Sequence, residues 1–220
     1  MGDIVSRLKA FVISWNLHTI LPLGYYYLLL YKIKSILWPN RVINPYRVIS
    51  INPSNIEKRE NKRIHKWRNM GEIKSGDWDK KCGSIWDSEG LTSTYMRYDN
   101  GMPWEETEVY KSTLSAVSNG ETYWQCRTVS DLQKRTEKLD QIYNEIKKNG
   151  VKSQKDIHNK SVDQMLRSIS FLPSQTDIAV AISRNGEPIL IDGHHRLAMA
   201  KALNLKKIPV RIVVYHRDYL

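Results

Sequence analysis

Apolar and polar positions alternate most clearly over the last fifty residues. Asp177–Ser183 is a short apolar run that predicts a strand, Asn185-Gly186 is a tight hairpin turn, and Pro188–Ile191 predicts its partner strand. The period then lengthens: His194–Leu203 predicts a helix rich in small residues. Asn204 is suited to a left-handed cap, and Pro209–Tyr215 predicts a closing strand. Upstream, Leu132, Leu139, Ile142, Tyr143 and Ile146 line one face of a helix, with a capping box at Ser130–Gln133 and a stop at Asn149-Gly150. Ser161–Gln164 opens a shorter helix through Met165, Leu166 and Ile169. The β-branched run Tyr46–Ile51 predicts a first strand that ends at Asn52-Pro53.

Two stretches lack a clean period. Residues 54–70 are charged and are expected to be helical in part. Residues 71–107 carry Gly71, Gly76, Gly83, Gly90 and Gly101 and are expected to be loop-rich; a segment of that kind in a compact domain is usually functional. Strands and helices mix without regular alternation, so the fold class is α+β, a small mixed sheet with helices.

The N-terminal pattern differs from everything after it. Ala10–Tyr31 has no Asp, Glu, Lys or Arg, while Arg7, Lys9, Lys32 and Lys34 flank it. Trp15 and Tyr25-Tyr26-Tyr27 suit a membrane interface, whereas Asn16, His18, Pro22 and Gly24 interrupt a clean span. Three placements remain open: packing on the domain or on another copy, a helix pair in the headgroup region, and a single span. Met1–Ser6 also matches the pattern for N-terminal myristoylation. The organisation read from this is a hydrophobic, basic, helical segment at 1–40 and one domain at 41–220.

Charge sharpens that division. The chain of 220 residues carries a formal net charge of +11. Residues 1–75 hold 13 Lys and Arg against 4 Asp and Glu, and the remainder is nearly balanced. A basic domain built for nucleic acid is therefore disfavoured, although nucleic acid stays as a partner reading. Hydrophobic residues at 41% and charged ones at 26% exclude disorder and a polytopic membrane protein. Two Cys, Cys82 and Cys126, exclude a disulfide scaffold and a thiolate zinc site, and make the cytoplasm, or the inner face of a membrane reached through residues 7–38, the expected location.

The candidate chemistry centres on Asp192-Gly193-His194-His195-Arg196, at a predicted strand-to-helix junction. Gly193 permits a tight turn and close approach of a ligand to the backbone. The first helical turn offers free N–H groups to a phosphate, Arg196 a bidentate fork, and His194 and His195 donors or a base near neutral pH. Asp192 could orient an imidazole or bind a divalent ion; the plainer alternative is that it caps the helix.

Two acidic-aromatic clusters could complete such a site. In Asp77-Trp78-Asp79 an extended backbone would put both carboxylates on one side and Trp78 on the other, ready to stack on a base or sugar. Trp104-Glu105-Glu106-Thr107 is the second cluster. The expected division of labour has Asp79 and Asp192 positioning Mg2+ and Asp77 or Glu105 activating a hydroxyl, with His195 also in the catalytic set. Solvated turns are the alternative for both clusters.

The run Glu187–Val210, with the strand Arg47–Ile51 and its Asn52-Pro53 turn, resembles the signature of the ParB/sulfiredoxin superfamily. Gly193 and Arg196 match the glycine and last arginine of the Gly-Glu-Arg-Arg box of ParB proteins, with His194 and His195 in its middle positions. Sulfiredoxins carry Gly-Cys-His-Arg there; His194 replaces the cysteine, so thiol chemistry is not available. The Asp-Gly-His-His-Arg form is most similar to a branch that includes an ADP-dependent free-serine kinase. The Gly-Asp-Trp-Asp block is similar to that of a set of archaeal and viral proteins of the superfamily.

The resemblance implies nucleotide binding or phosphoryl transfer. The expected cofactors are ATP or ADP with Mg2+, and the expected acceptor is small and hydroxylated or glycan-like. A ParB-like nucleic-acid-binding or nuclease protein and a non-catalytic membrane-tethered module are the alternatives.

Overall fold

The computed structural model describes residues 31–44, 47–61, 71–153, 156 and 177–220. The N-terminal segment up to residue 30, with its membrane and myristoylation readings, and the helix expected from Ser161 lie outside the described residues. Residues 31–37 are helical.

The scaffold is a mixed α/β structure on one seven-stranded sheet. Its strands are β1 (Val48–Ile51), β2 (Lys58–Glu60), β3 (Glu72–Lys74), β4 (Cys82–Ser84), β5 (Ile178–Ile182), β6 (Pro188–Asp192) and β7 (Ile208–His216). The order is β1-β7-β5-β6-β2-β4, with β3 also on β7. β7 is the spine: β5 runs parallel along one side, while β1 (antiparallel) and β3 (parallel) follow one another along the other.

The sequence of β5, Ile-Ala-Val-Ala-Ile, explains its central place. Ile178, Val180 and Ile182 face one apolar layer and Ala179 and Ala181 the opposite one, so both faces are buried. The helices are α1 (Glu89–Asp99), α2 (Glu108–Ser118), α3 (Val129–Asn149) and α4 (His194–Ala202). Leu91 of α1 and Leu197, Ala198 and Ala200 of α4 enter the layer formed by Ile178, Val180 and Ile182. Fully burying Leu197 contributes about 2–3 kcal/mol. A further layer joins Met199 of α4 to Trp104, Val109, Leu139 and Ile146.

Several boundaries differ from expectation. Lys58–Glu60, expected in a partly helical stretch, is a strand between β6 and β4. That run has no apolar stripe to hold a helix, and two neighbouring strands offer it ladder partners. The segment 71–107 is loop-rich only in part: among its turns and short 3-10 helices it holds β3, β4 and all of α1. Gly90, Thr92, Ser93 and Thr94 depress the helix propensity of α1, which is held instead by its packing on α4. The cap of α3 is Thr128 with Asp131, two residues before the expected box, and Gly150 ends the helix at φ 70°. No helix among the described residues is long and apolar enough to cross a membrane.

Candidate functional site

Strand β6 delivers the chain to α4 through Gly193, which stands at φ 90° and ψ 28°. This left-handed turn favours glycine, and a Cβ here would lie 3.0 Å from both Cα and Cγ1 of Ile178. The plain capping role open to Asp192 is not the one observed. Its Oδ1 accepts the Gly193 N–H at 2.7 Å, Gly193 itself is the cap residue, and no side chain caps α4. The N–H groups of His194 and His195 therefore lack an acceptor among the described residues, at the positive end of a nine-residue helix.

Cations surround this entrance. Arg196 sits in the first turn, with Asp177 and Asp192 as opposing charges; burial pulls its pKa down and the two carboxylates oppose that pull. His194 is pulled down by burial, partly countered by Asp192 and reinforced by Arg59 of β2. Arg59 keeps a buried Nε without a hydrogen-bond partner.

The His195 ring lies between α1 and a turn at Tyr123–Cys126. Its Nδ1 is 2.8 Å from Thr94 Oγ1, and its ring centroid is 5.5 Å from Trp124, edge to face. Burial, with Arg135, His194 and Arg196 nearby, pushes its pKa down to about 3. The imidazole is neutral at physiological pH.

The Tyr123–Cys126 turn carries strain. Tyr123 and Cys126 exchange both backbone hydrogen bonds, at 3.2 and 2.8 Å, across Trp124 at φ 46° and Gln125 at φ 61°. Two left-handed central residues make this a type I′ geometry, a setting that normally selects Asn-Gly. Here it holds a Trp and a Gln. The side chains explain what the geometry achieves: Arg135 lies 4.6 Å over Trp124 and donates to Gln125 Oε1 at 3.0 Å. Tyr123 donates to Glu89 Oε2 at 3.2 Å, leaving Glu89 Oε1 buried and unpaired. Gly90 lies beneath both rings: a Cβ there would meet His195 Cε1 and Trp124 Nε1 at 3.5 Å, an ordinary van der Waals contact.

Behind this wall, Trp104 continues the aromatic chain 5.9 Å from Trp124, and its Nε1 donates to Asp140 at 3.0 Å. Tyr98 donates to the same carboxylate at 2.9 Å.

Asp77 and Asp79 are elsewhere. Arg184, in the turn between β5 and β6, gathers both. Its backbone N–H and Nε donate to Asp79 Oδ2 at 3.1 and 2.9 Å, and its Nη2 donates to Asp79 Oδ1 at 2.7 Å and to Asp77 Oδ1 at 2.8 Å. The guanidinium holds the Asp79 carboxyl far below the usual range; it also lowers Asp77, with help from Lys80. Gly193 is at the opposite end of β6. The four steps from Pro188 to Asp192 alone span roughly 13 Å.

Asp79 and Asp192 thus cannot share one Mg2+, and neither Asp77 nor Asp79 fits the expected role beside the phosphate cradle. Among the described residues no group of three or more His, Cys, Asp or Glu gathers around a metal-sized space. Trp78, expected to stack on a ligand, is buried in the layer with Ala179, Ala181 and Ile189, 5.6 Å from the His216 ring. An open cleft of about 740 Å³ on this side is lined by Asp77, Trp78, Lys80, Lys81 and Cys82 among others. Glu105 projects to solvent from a short 3-10 helix whose Trp104 is buried.

The structure therefore keeps Asp192, Gly193, His194, His195 and Arg196 together and removes Asp77, Trp78 and Asp79 from them. It adds Arg59, Glu89, Thr94, Trp124, Gln125 and Arg135. Of these, only the Trp124-Gln125 pair has a local sequence cue, lying in a short polar segment directly before the Thr128 capping box. Comparison of the chain with protein-family models, with curated proteins and with solved structures finds no match.

Proposed function

We propose that this protein is a ParB/sulfiredoxin-like nucleotide-dependent phosphotransferase that holds phosphates at the entrance of α4 and acts on a small hydroxylated or glycan-like acceptor. The observation that carries the reading is the uncapped first turn of α4. Asp192 turns back to the Gly193 N–H instead of capping the helix, so backbone donors of His194 and His195 remain for an anion. Arg59 and Arg196 flank that position and supply charge where phosphoryl transfer develops it.

The chemistry must be assembled on the helix side of the sheet. Asp77 and Asp79 are tied to Arg184, so the carboxylates beside the entrance are Asp177 and Asp192, the opposing charges of Arg196. Asp192 is the residue on this side that could meet a Mg2+ ion carried in by a nucleotide; no step is assigned to the metal.

Isothermal titration with ADP, ATP and CTP, each with Mg2+, tests the reading. Saturable heat with at least one, lost in an Arg59→Ala, Arg196→Ala double variant that remains folded, is expected. Absence of heat with all three would overturn it.

A further inference from the structure

The hydrogen bonds around Thr94 fix a property of His195 that composition and spacing leave open. The Thr94 hydroxyl lies 2.6 Å from the Gly90 carbonyl oxygen and 2.8 Å from His195 Nδ1. A carbonyl oxygen cannot donate, so Thr94 spends its single proton on Gly90 and can only accept at His195. The proton on the neutral imidazole is therefore on Nδ1. Nε2 carries a lone pair and makes no hydrogen bond among the described residues. His216 shows the opposite arrangement by the same logic: its Nε2 faces the Gly76 carbonyl at 2.8 Å and its Nδ1 accepts the Asp218 N–H at 3.1 Å.

A lone pair on a neutral imidazole repels phosphate oxygens and attracts a hydroxyl. We infer that Thr94 is a positioning residue that locks His195 in the Nδ1–H form, so that Nε2 seats the hydroxyl of the phosphoryl acceptor while the phosphates lie on the helix N–H groups beside it. The inference rests on the phosphate site proposed above and reassigns His195 from holding phosphate to holding the acceptor.

The surroundings are consistent with that role. Burial keeps the imidazole neutral, and the guanidinium groups of Arg135 and Arg196 act in the same direction. The edge-to-face contact with Trp124 and the hydrogen bond to Thr94 together hold the ring plane.

Long-range 1H–15N correlation spectra of the imidazole groups, recorded on the full chain, test the inference. Wild type and Thr94→Ser should show His195 as one neutral species protonated at Nδ1 from pH 5 to 8, and Thr94→Val should lose that single tautomer. Inorganic pyrophosphate should shift the His194 and His195 backbone amides and leave His195 Nε2 unprotonated. Glycerol or glucose added to the pyrophosphate-saturated protein should then move Nε2 in wild type and in Thr94→Ser.

An Nε2–H tautomer, protonation of Nε2 by pyrophosphate, or silence of Nε2 toward both polyols overturns the inference while leaving the phosphate site standing. Silence of the His194 and His195 amides toward pyrophosphate removes the phosphate site, and this inference with it.

Discussion

Replacing Asp79 by Ala should damage the fold and not a reaction. The Asp79 side chain is 4% exposed and accepts three N–H bonds from Arg184, one of them from the backbone of the β5–β6 turn. Removing one partner of a buried ion pair costs about 3–5 kcal/mol. Arg184 keeps 25% of its side chain exposed and retains Asp77, so part of its charge is recovered and the expected loss is about 2–3 kcal/mol.

Urea denaturation followed by tryptophan fluorescence reads this as a fall in midpoint of ~1 M at a slope on the order of 2 kcal/mol/M. Asp77→Ala, at an exposed site, should move the midpoint little. The pH dependence follows from the lowered carboxyl. The contribution of Asp79 is present above its unfolded value of about 3.9 and is lost as pH falls toward the much lower folded value, so Asp79→Asn should flatten the acid limb of the stability curve. A stability for Asp79→Ala within about 0.5 kcal/mol of wild type would refute the structural role.

Three other outcomes follow from the site. Gly193→Ala should destabilise by about 1–3 kcal/mol, because it forces a left-handed Ala against Ile178, and should weaken nucleotide binding; thermal melts and titration calorimetry read the two effects. Gln125→Gly should relieve the strained turn and raise stability by about 0.5–1 kcal/mol, less whatever the lost Arg135 bond contributes; an unchanged or lowered melting temperature would show that this bond outweighs the strain. His195 has a folded pKa near 3 against about 6.5 unfolded, so its contribution is full above pH 6.5 and is lost as pH falls toward 3. The stability difference between wild type and His195→Asn should therefore shrink over that window, by up to about 1.4 kcal/mol per pH unit, in urea melts taken from pH 7 to 4.

The hairpin, α4 and β7 are legible in the sequence because local chemistry and tertiary context agree there. Ile178–Ile182 is a buried run, Gly186 permits the turn at φ 82°, and Asn204 takes the left-handed cap at φ 50°. Where the two conflict, the pattern misleads. Helix α1 carries a Gly and three hydroxyl residues in its first half, and only its packing against α4 makes it a helix.

The Asp-Gly-His-His-Arg junction is visible because it is contiguous. The rest of the site is drawn from β2, α1, the Tyr123–Cys126 turn and α3, and nothing in a single sequence brings those segments together. Asp77 and Asp79 show the reverse limit. Two acids beside a Trp resemble half of a reactive centre until Arg184, more than a hundred residues later, supplies their partner.

The central claim is that the uncapped start of α4 is a phosphate cradle. A crystal structure of the protein grown with ADP and Mg2+ tests it most directly. The account predicts phosphate oxygens within about 3 Å of the His194 and His195 backbone N–H groups, with Arg59 or Arg196 on the same phosphates. Phosphates bound instead in the cleft beside Asp77, Lys80 and Lys81, with the α4 entrance filled only by water, would contradict it.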